Sequence, residues 1–171
     1  MSPKLTVHIR WVVRRDMPEV LAIEQASSPR SWGDEDFLVA LRQRNTIGMV
    51  AELNHRIVGF MVYELHRDHL HILKFAVDPA LQRQRIGTQL FQRLVDKLSQ
   101  QRRNKLSCAV PESRLAGQLF FKACGCRCMA RLFGDPEEQY LFSYRLPAEK
   151  QDQTWAPENR ITPYVEEANG D

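Results

Sequence analysis

"ILKFAVDPALQRQRIGTQLFQRLVDKL" (residues 72–98) changes backbone period within a few residues. Its first six residues are nearly all apolar and suit a buried strand. Asp78-Pro79 stops that strand, because proline brings no N–H to a ladder and restricts the residue before it. Beyond Gly87, Leu90, Phe91, Leu94, Val95 and Leu98 recur at helical spacing. Between strand and helix lies a polar, basic loop, residues 82–88, with a single glycine. A loop that runs from a strand straight into a helix N-terminus aims several backbone N–H groups at one point, and the helix dipole favours an anion there. Two readings are open on these residues alone: a cradle for the phosphates of a cofactor, with Arg83 and Arg85 adding charge-assisted hydrogen bonds, or a solvated basic turn.

Working outward, residues 5–13 alternate as a strand. Asp16 and Pro18 mark a helix entry, with Met17, Val20 and Leu21 on one face. The acids at 34–36 open a second helix with Phe37, Leu38 and Leu41 inward. Residues 47–53, 57–65 and 70–77 read as three strands joined by turns at Asn54-His55 and Arg67-Asp68. Gly59, inside the second, points to a bulge or a close backbone approach. Residues 105–110 form a strand, and Pro111-Glu112-Ser113 starts a helix with Leu115, Ala116, Leu119, Phe120 and Ala123 inward. Gly125 ends that helix. Strands at 126–133 and 139–146 flank the turn Gly134-Asp135-Pro136. The order β α α β β β α β α β β implies one α+β domain with helices packed on a mostly antiparallel sheet. Residues 1–148 make this domain, and 149–171 a polar, acidic, proline-interrupted tail.

The 171 residues suffice for one core without disulfides or metal. At 43% hydrophobic and 26% charged, the composition is that of a soluble globular protein. No apolar run approaches a membrane span, and the first residues lack a signal-peptide core, so no membrane partner is implied and a cytoplasmic location is expected. The net charge of +3 is uneven: residues 149–171 carry six acids and two bases, leaving 22 bases against 15 acids before them. Such a body favours anionic ligands. Scattered arginines and aromatics at core periodicity argue against nucleic acid. Three of the four cysteines lie in CGCRC (residues 124–128), too tight for a zinc ribbon, and read as free thiols packed on a strand.

The 72–98 stretch resembles the acetyl-CoA-binding core of the GNAT superfamily of N-acetyltransferases. "AIEQASSPRSWGDEDF" (residues 22–37) is similar to the superfamily's IEQ followed by a Pro/Trp helix entry, and "RLAGQLFFKACGC" (residues 114–126) to its helix ending in a small residue and glycine. The element order matches too, and within the superfamily the chain looks most like the branch of ribosomal-protein-alanine N-acetyltransferases (RimI-like). The resemblance implies a GNAT fold: a mixed, mostly antiparallel sheet of about seven strands with four helices, its central strands splayed around the cofactor. Phe75, Ala76 and Val77 would pair with the pantetheine arm, and Arg83, Gln84, Arg85, Ile86, Gly87 and Thr88 would form the pyrophosphate loop. Arg85 stands where the pattern has its first glycine. The implied reaction moves an acetyl group from acetyl-CoA to a primary amine, with a protein N-terminus as one acceptor class.

The chemical side of the pattern is depleted. The resemblance puts a general base at Ala109, a general acid at Phe121 and a cofactor-contacting asparagine at Arg114; none of the three expected groups is present. Glu112 and His71 are the substitute catalytic candidates, one by position and one by its titration range. Glu64 and His69 are further substitutes for the base, and Tyr140 and Tyr144 could donate a proton, each against the ordinary alternative of a surface or packing role. Trp32 and Gly33 on one side, and Asp135, Glu137 and Glu138 on the other, would frame the acceptor's entry. The alternative function is a non-catalytic acyl-CoA-binding or protein-interaction module on the same fold.

Overall fold

The computed structural model describes residues 5–147. Residue 148, the last of the expected domain, and the expected tail at 149–171 lie outside the described residues. The chain forms β1 (His8–Trp11), α1 (Met17–Ser27), α2 (Asp34–Leu41), β2 (Thr46–Leu53), β3 (Arg56–Leu65), β4 (His69–Val77), α3 (Ile86–Val95), β5 (Lys105–Pro111), α4 (Leu115–Ala123), β6 (Arg127–Leu132) and β7 (Gln139–Arg145). The sheet order is β1-β2-β3-β4-β5-β7-β6. Every pair is antiparallel except β4 with β5. This is the expected α+β architecture of seven strands and four helices. Among the described residues no helix is long and apolar enough to cross a membrane.

Two cores lie on opposite faces of the sheet. On one, α3 sets Ile86, Leu90, Phe91 and Leu94 against Met61, Leu70, Ile72, Leu106 and Phe142. On the other, α1 and α2 set Met17, Val20, Ile23 and Phe37 against Val50, Phe60 and Val62. The β2–β3 hairpin turns on Asn54 and His55, both left-handed (φ 49° and 63°), as a two-residue hairpin requires. Gly59 meets both expectations. The register slips beside it, between Ala51 and Glu52, and a Cβ there would lie 3.1 Å from the Ala76 carbonyl oxygen.

Four readings are corrected. Pro111 ends β5 rather than opening α4, because the Glu112 N–H donates to the Glu138 carbonyl (2.9 Å) and holds that turn to the sheet. The buried face of α4 is also rotated: Phe121 is buried, while Leu115 and Leu119 are exposed. Phe121 contacts Phe75, Phe91 and Phe120, and that aromatic cluster sets the helix's roll. Leu38 of α2 is exposed rather than inward. Of the CGCRC cysteines only Cys128 lies on a strand, where it is exposed; Cys124 and Cys126 flank the turn at Gly125 (φ +95°). Burial pushes the Cys108 and Cys126 thiols up to about 12, and Cys124 to about 11, so none of these three is a thiolate at neutral pH.

Candidate active site

The parallel strands part midway. β4 and β5 pair from His69↔Lys105 to Ile72↔Cys108, and the pairing then stops although both strands continue. β5 goes on to Pro111 along β7, and β4 to Val77 along β3. The register of β4 on β3 slips between Val62 and Tyr63, which makes Leu73 the extra residue. A bulge bends its strand and disrupts the ladder locally, and here the bend coincides with the opening. Past it, the β5-facing edge of Phe75, Ala76 and Val77 has no strand partner among the described residues. Backbone donors and acceptors on such an edge call for a partner.

Beyond Val77, Asp78 caps a short 3-10 turn (Pro79–Leu81) by accepting from the Ala80 N–H at 3.0 Å. The loop then enters α3 through two left-handed arginines, Arg83 (φ 64°) and Arg85 (φ 63°), with Arg85 as N-cap. Arg85 thus takes the backbone conformation in the place where the pattern has glycine. Left-handed geometry costs an L-residue about 1–2 kcal/mol. Among the described residues no side chain caps this helix, and its first backbone bond runs from the Gln89 N–H to the Arg85 carbonyl. The N–H groups of Ile86, Gly87 and Thr88 are the ones a helix leaves without internal partners. With exposed Arg83 and Arg85 beside them, they fit a pyrophosphate. Gly87 is fixed by close approach: a Cβ there would lie 3.1 Å from the Phe120 ring and 3.6 Å from Val77. Gly87 therefore joins the loop to α4 as well as to β4.

The two catalytic candidates are not brought together. His71 is half-buried on the last paired rungs, with Nδ1 2.7 Å from Ser107 Oγ on β5 and Glu64 opposite it on β3. Burial pulls its pKa below the usual 6.5, against the opposing pull of Glu64, so the imidazole is neutral at pH 7. Glu112 is exposed in the β5–α4 turn, five residues past Ser107, roughly 16 Å at the rise of a strand. Ala109 sits on the sheet face of Ser107, one residue beyond the last β4–β5 pair. Phe121 is buried in the aromatic cluster, with its ring 5.7 Å from Phe75.

At the expected entry two of the three acids, Glu137 and Glu138, are occupied. Glu137 accepts from the Ser113 N–H (3.0 Å) and hydroxyl (2.9 Å), and Glu138 pairs with Arg131. Glu64 pairs with His66, and His69 with Asp68. Tyr144 packs edge-on against Phe91. Sequence reasoning missed Ser107 and a second group near the opening. Glu24 of α1 is 2% exposed, its Oε1 lies 3.4 Å from Lys74 Nζ of β4, and its Oε2 has no partner among the described residues. Burial raises its pKa, against the pull of Lys74. The spacing Met17, Val20, Glu24 puts this carboxylate on the buried face of α1, a signal present in the sequence.

The model of the acetyltransferase (GNAT) family matches residues 17–126. No curated protein matches the chain by sequence. Among solved structures, Ard1 from Thermoplasma volcanium is 23% identical with a TM-score of 0.75, covering 84% of this chain and 99% of its own. The ribosomal-protein-S18-alanine N-acetyltransferase from Escherichia coli is 20% identical with a TM-score of 0.72, covering 82% and 94%. NAA60 from Arabidopsis thaliana, in complex with acetyl-CoA, is 17% identical with a TM-score of 0.69, covering 82% and 100%. At these identities the likeness is one of fold.

Proposed function

The chain belongs to the GNAT acetyltransferase family, and from that premise we propose that it transfers an acetyl group from acetyl-CoA to a primary amine, a protein N-terminal amino group being the acceptor class. The observation that carries this reading is the parting of β4 from β5 after Ile72↔Cys108, with the uncapped N-terminus of α3 at the end of the same strand. The free edge of Phe75, Ala76 and Val77 would pair with the pantetheine arm. The pyrophosphate would lie on the loop of Arg83, Gln84, Arg85, Ile86, Gly87 and Thr88. Support for the co-substrate comes from the Arabidopsis relative, solved with acetyl-CoA. Support for an N-terminal acceptor comes from the name of the E. coli relative, and it extends to the RimI-like branch as part of the proposal.

Acetyl-CoA supplies the activated thioester: the amine nitrogen bonds its carbonyl carbon, the C–S bond breaks and CoA leaves as the thiol. An α-amino group with a pKa near ~7.7–8.0 is partly neutral at physiological pH and needs only modest help from a base. His71 suits that role better than Glu112: it is neutral, held by Ser107, and next to the opening. Ser107 shares a face with Ala109, so the pair stands close to where the family's carboxylate is missing. The domain of residues 1–148 would carry the activity, with 149–171 appended. Free cysteines suit a cytoplasmic, reducing setting.

A non-catalytic acyl-CoA-binding module is the second reading, favoured by Ala109 and by Phe121 in its aromatic packing. Thermal unfolding with and without millimolar acetyl-CoA tests both readings, since a ligand of the native state raises the midpoint; no rise removes both. Release of free CoA across a panel of N-terminal peptides and small amines then separates them: release establishes the enzyme, and binding without release establishes the module.

A further inference from the structure

Lys74 belongs to the cofactor strand, yet its side chain works on the opposite side of the sheet. Leu70 and Ile72 face α3, and strict alternation would send residue 74 there too. The bulge at Leu73 reverses the sense: Phe75 and Val77 join the α3 core, while Leu73 and Ala76 face α1. Lys74 therefore reaches α1 and the α1–α2 connection. Its Nζ lies 3.4 Å from Glu24 Oε1, donates to the Arg30 carbonyl at 3.4 Å, and sits 5.2 Å from the centre of the Trp32 ring. Trp32 packs edge-on against Phe37, and Phe37 against Phe60. One half-buried ammonium thus gathers three parts of the acceptor-side wall, and the bulge that opens the gap is what directs it there.

We propose that Lys74 and Glu24 are positioning residues that hold the α1–α2 connection in place from the cofactor strand, so that a β4 fixed by its ligand also fixes the wall along which the acceptor enters. The kinetic part rests on the reading of the previous section; the conformational part does not. A half-buried ammonium opposite a buried carboxylate is the natural link, because the carboxylate would be costly alone, and the ring face adds a cation–π contact.

The test is limited proteolysis of the full chain by trypsin, without ligand, following the bond after Arg30 in the exposed connection against the bond after Arg93 within α3. Lys74→Met strands the Glu24 carboxylate and risks general unfolding, so the deciding variant is Lys74→Met with Glu24→Gln. Cleavage after Arg30 is expected to rise about tenfold with cleavage after Arg93 unchanged, and Lys74→Arg is expected to restore the slow rate. Unchanged cleavage after Arg30, or an equal rise at both bonds, overturns the proposal. With the amine acceptor that releases CoA, the double variant is expected to raise the acceptor's KM about tenfold while kcat stays within about twofold. A fall in kcat at unchanged KM also overturns it. If acetyl-CoA fails to stabilise the wild-type chain, the functional reading fails, and the proteolysis still judges the link.

Discussion

The two walls of the opening are built from different material. On the β4 side the proposed work falls to backbone: the free edge of Phe75, Ala76 and Val77, and the uncapped N–H groups at the start of α3. On the β5 side it falls to side chains, and there Ala109 and Phe121 replace the polar groups that the resemblance implies. A backbone site survives substitution as long as the new residue takes the same φ and ψ. Arg85 does so, standing left-handed where a glycine is usual. A side-chain site has no such latitude, since alanine has nothing with which to move a proton. Substitution of this kind therefore leaves the backbone wall its proposed role and empties the other, and the proposed replacement, His71, comes from β4 and is bonded across to Ser107 of β5.

The largest effect is expected of His71→Ala. If His71 has taken over the base's work, kcat falls by about 10²–10⁴, the usual scale of general-base catalysis, with no change in the stabilisation by acetyl-CoA. An unchanged kcat in CoA-release assays would leave the group missing at Ala109 without a replacement. Next in size is Gly87→Asp, which adds a side chain 3.1 Å from the Phe120 ring and a negative charge at the proposed phosphate position. Acetyl-CoA affinity is expected to fall about a hundredfold or more by calorimetric titration, the equivalent of losing one or two charge-assisted contacts. Gly87→Ala adds the bulk without the charge and should cost less. Equal losses in the two variants would mean that packing against Phe120, not the anion, is what requires glycine.

The same contrast governs what could be read from the sequence. The strand, break, loop and helix of residues 72–98 were legible because their signals are local: an apolar run, Asp78-Pro79, one glycine and a 3.6-residue period. The fold followed from the order of such segments. Which face of α4 is buried was not legible, because Leu115, Leu119 and Phe121 are all apolar and only the ring cluster around Phe75 and Phe91 chooses among them. The partner of His71 was not legible either. Ser107 lies 36 residues away and meets it only through the parallel register of β4 on β5. Glu24 stood inside a quoted motif, at a spacing that places it on the buried face of α1, but its pairing with Lys74 depends on a bulge that no composition rule reveals.

Arg85→Gly probes the β4 wall alone. Removing the left-handed strain should stabilise the chain by about 1 kcal/mol after glycine's own entropy is charged, and raise the unfolding midpoint by roughly 2–4 °C. If the wall is purely backbone, acetyl-CoA binds the variant as before. A weakened affinity alongside the gain in stability would show that the guanidinium itself touches phosphate, and would move part of this wall into the side-chain class.

The smallest effect concerns protons at His71. Burial lowers its folded pKa below the unfolded value of 6.5, so between those two values the unfolded chain holds the proton and the folded chain does not. The chain with more bound protons gains as pH falls, and the folded state therefore loses stability as pH drops below about 6.5, with no further loss from this group below the folded pKa. His71→Asn keeps a polar group opposite Ser107 and cannot titrate, so its stability should fall less over the same acid range in urea titrations. Parallel slopes for the two proteins would mean that the imagined cost of charging the imidazole is absent and that its ring is better hydrated than its half-buried place beside Ser107 implies. In that case the pH–rate profile would place its acid limb near 6.5 rather than below it, and His71 would be a base with no tuning from its strand.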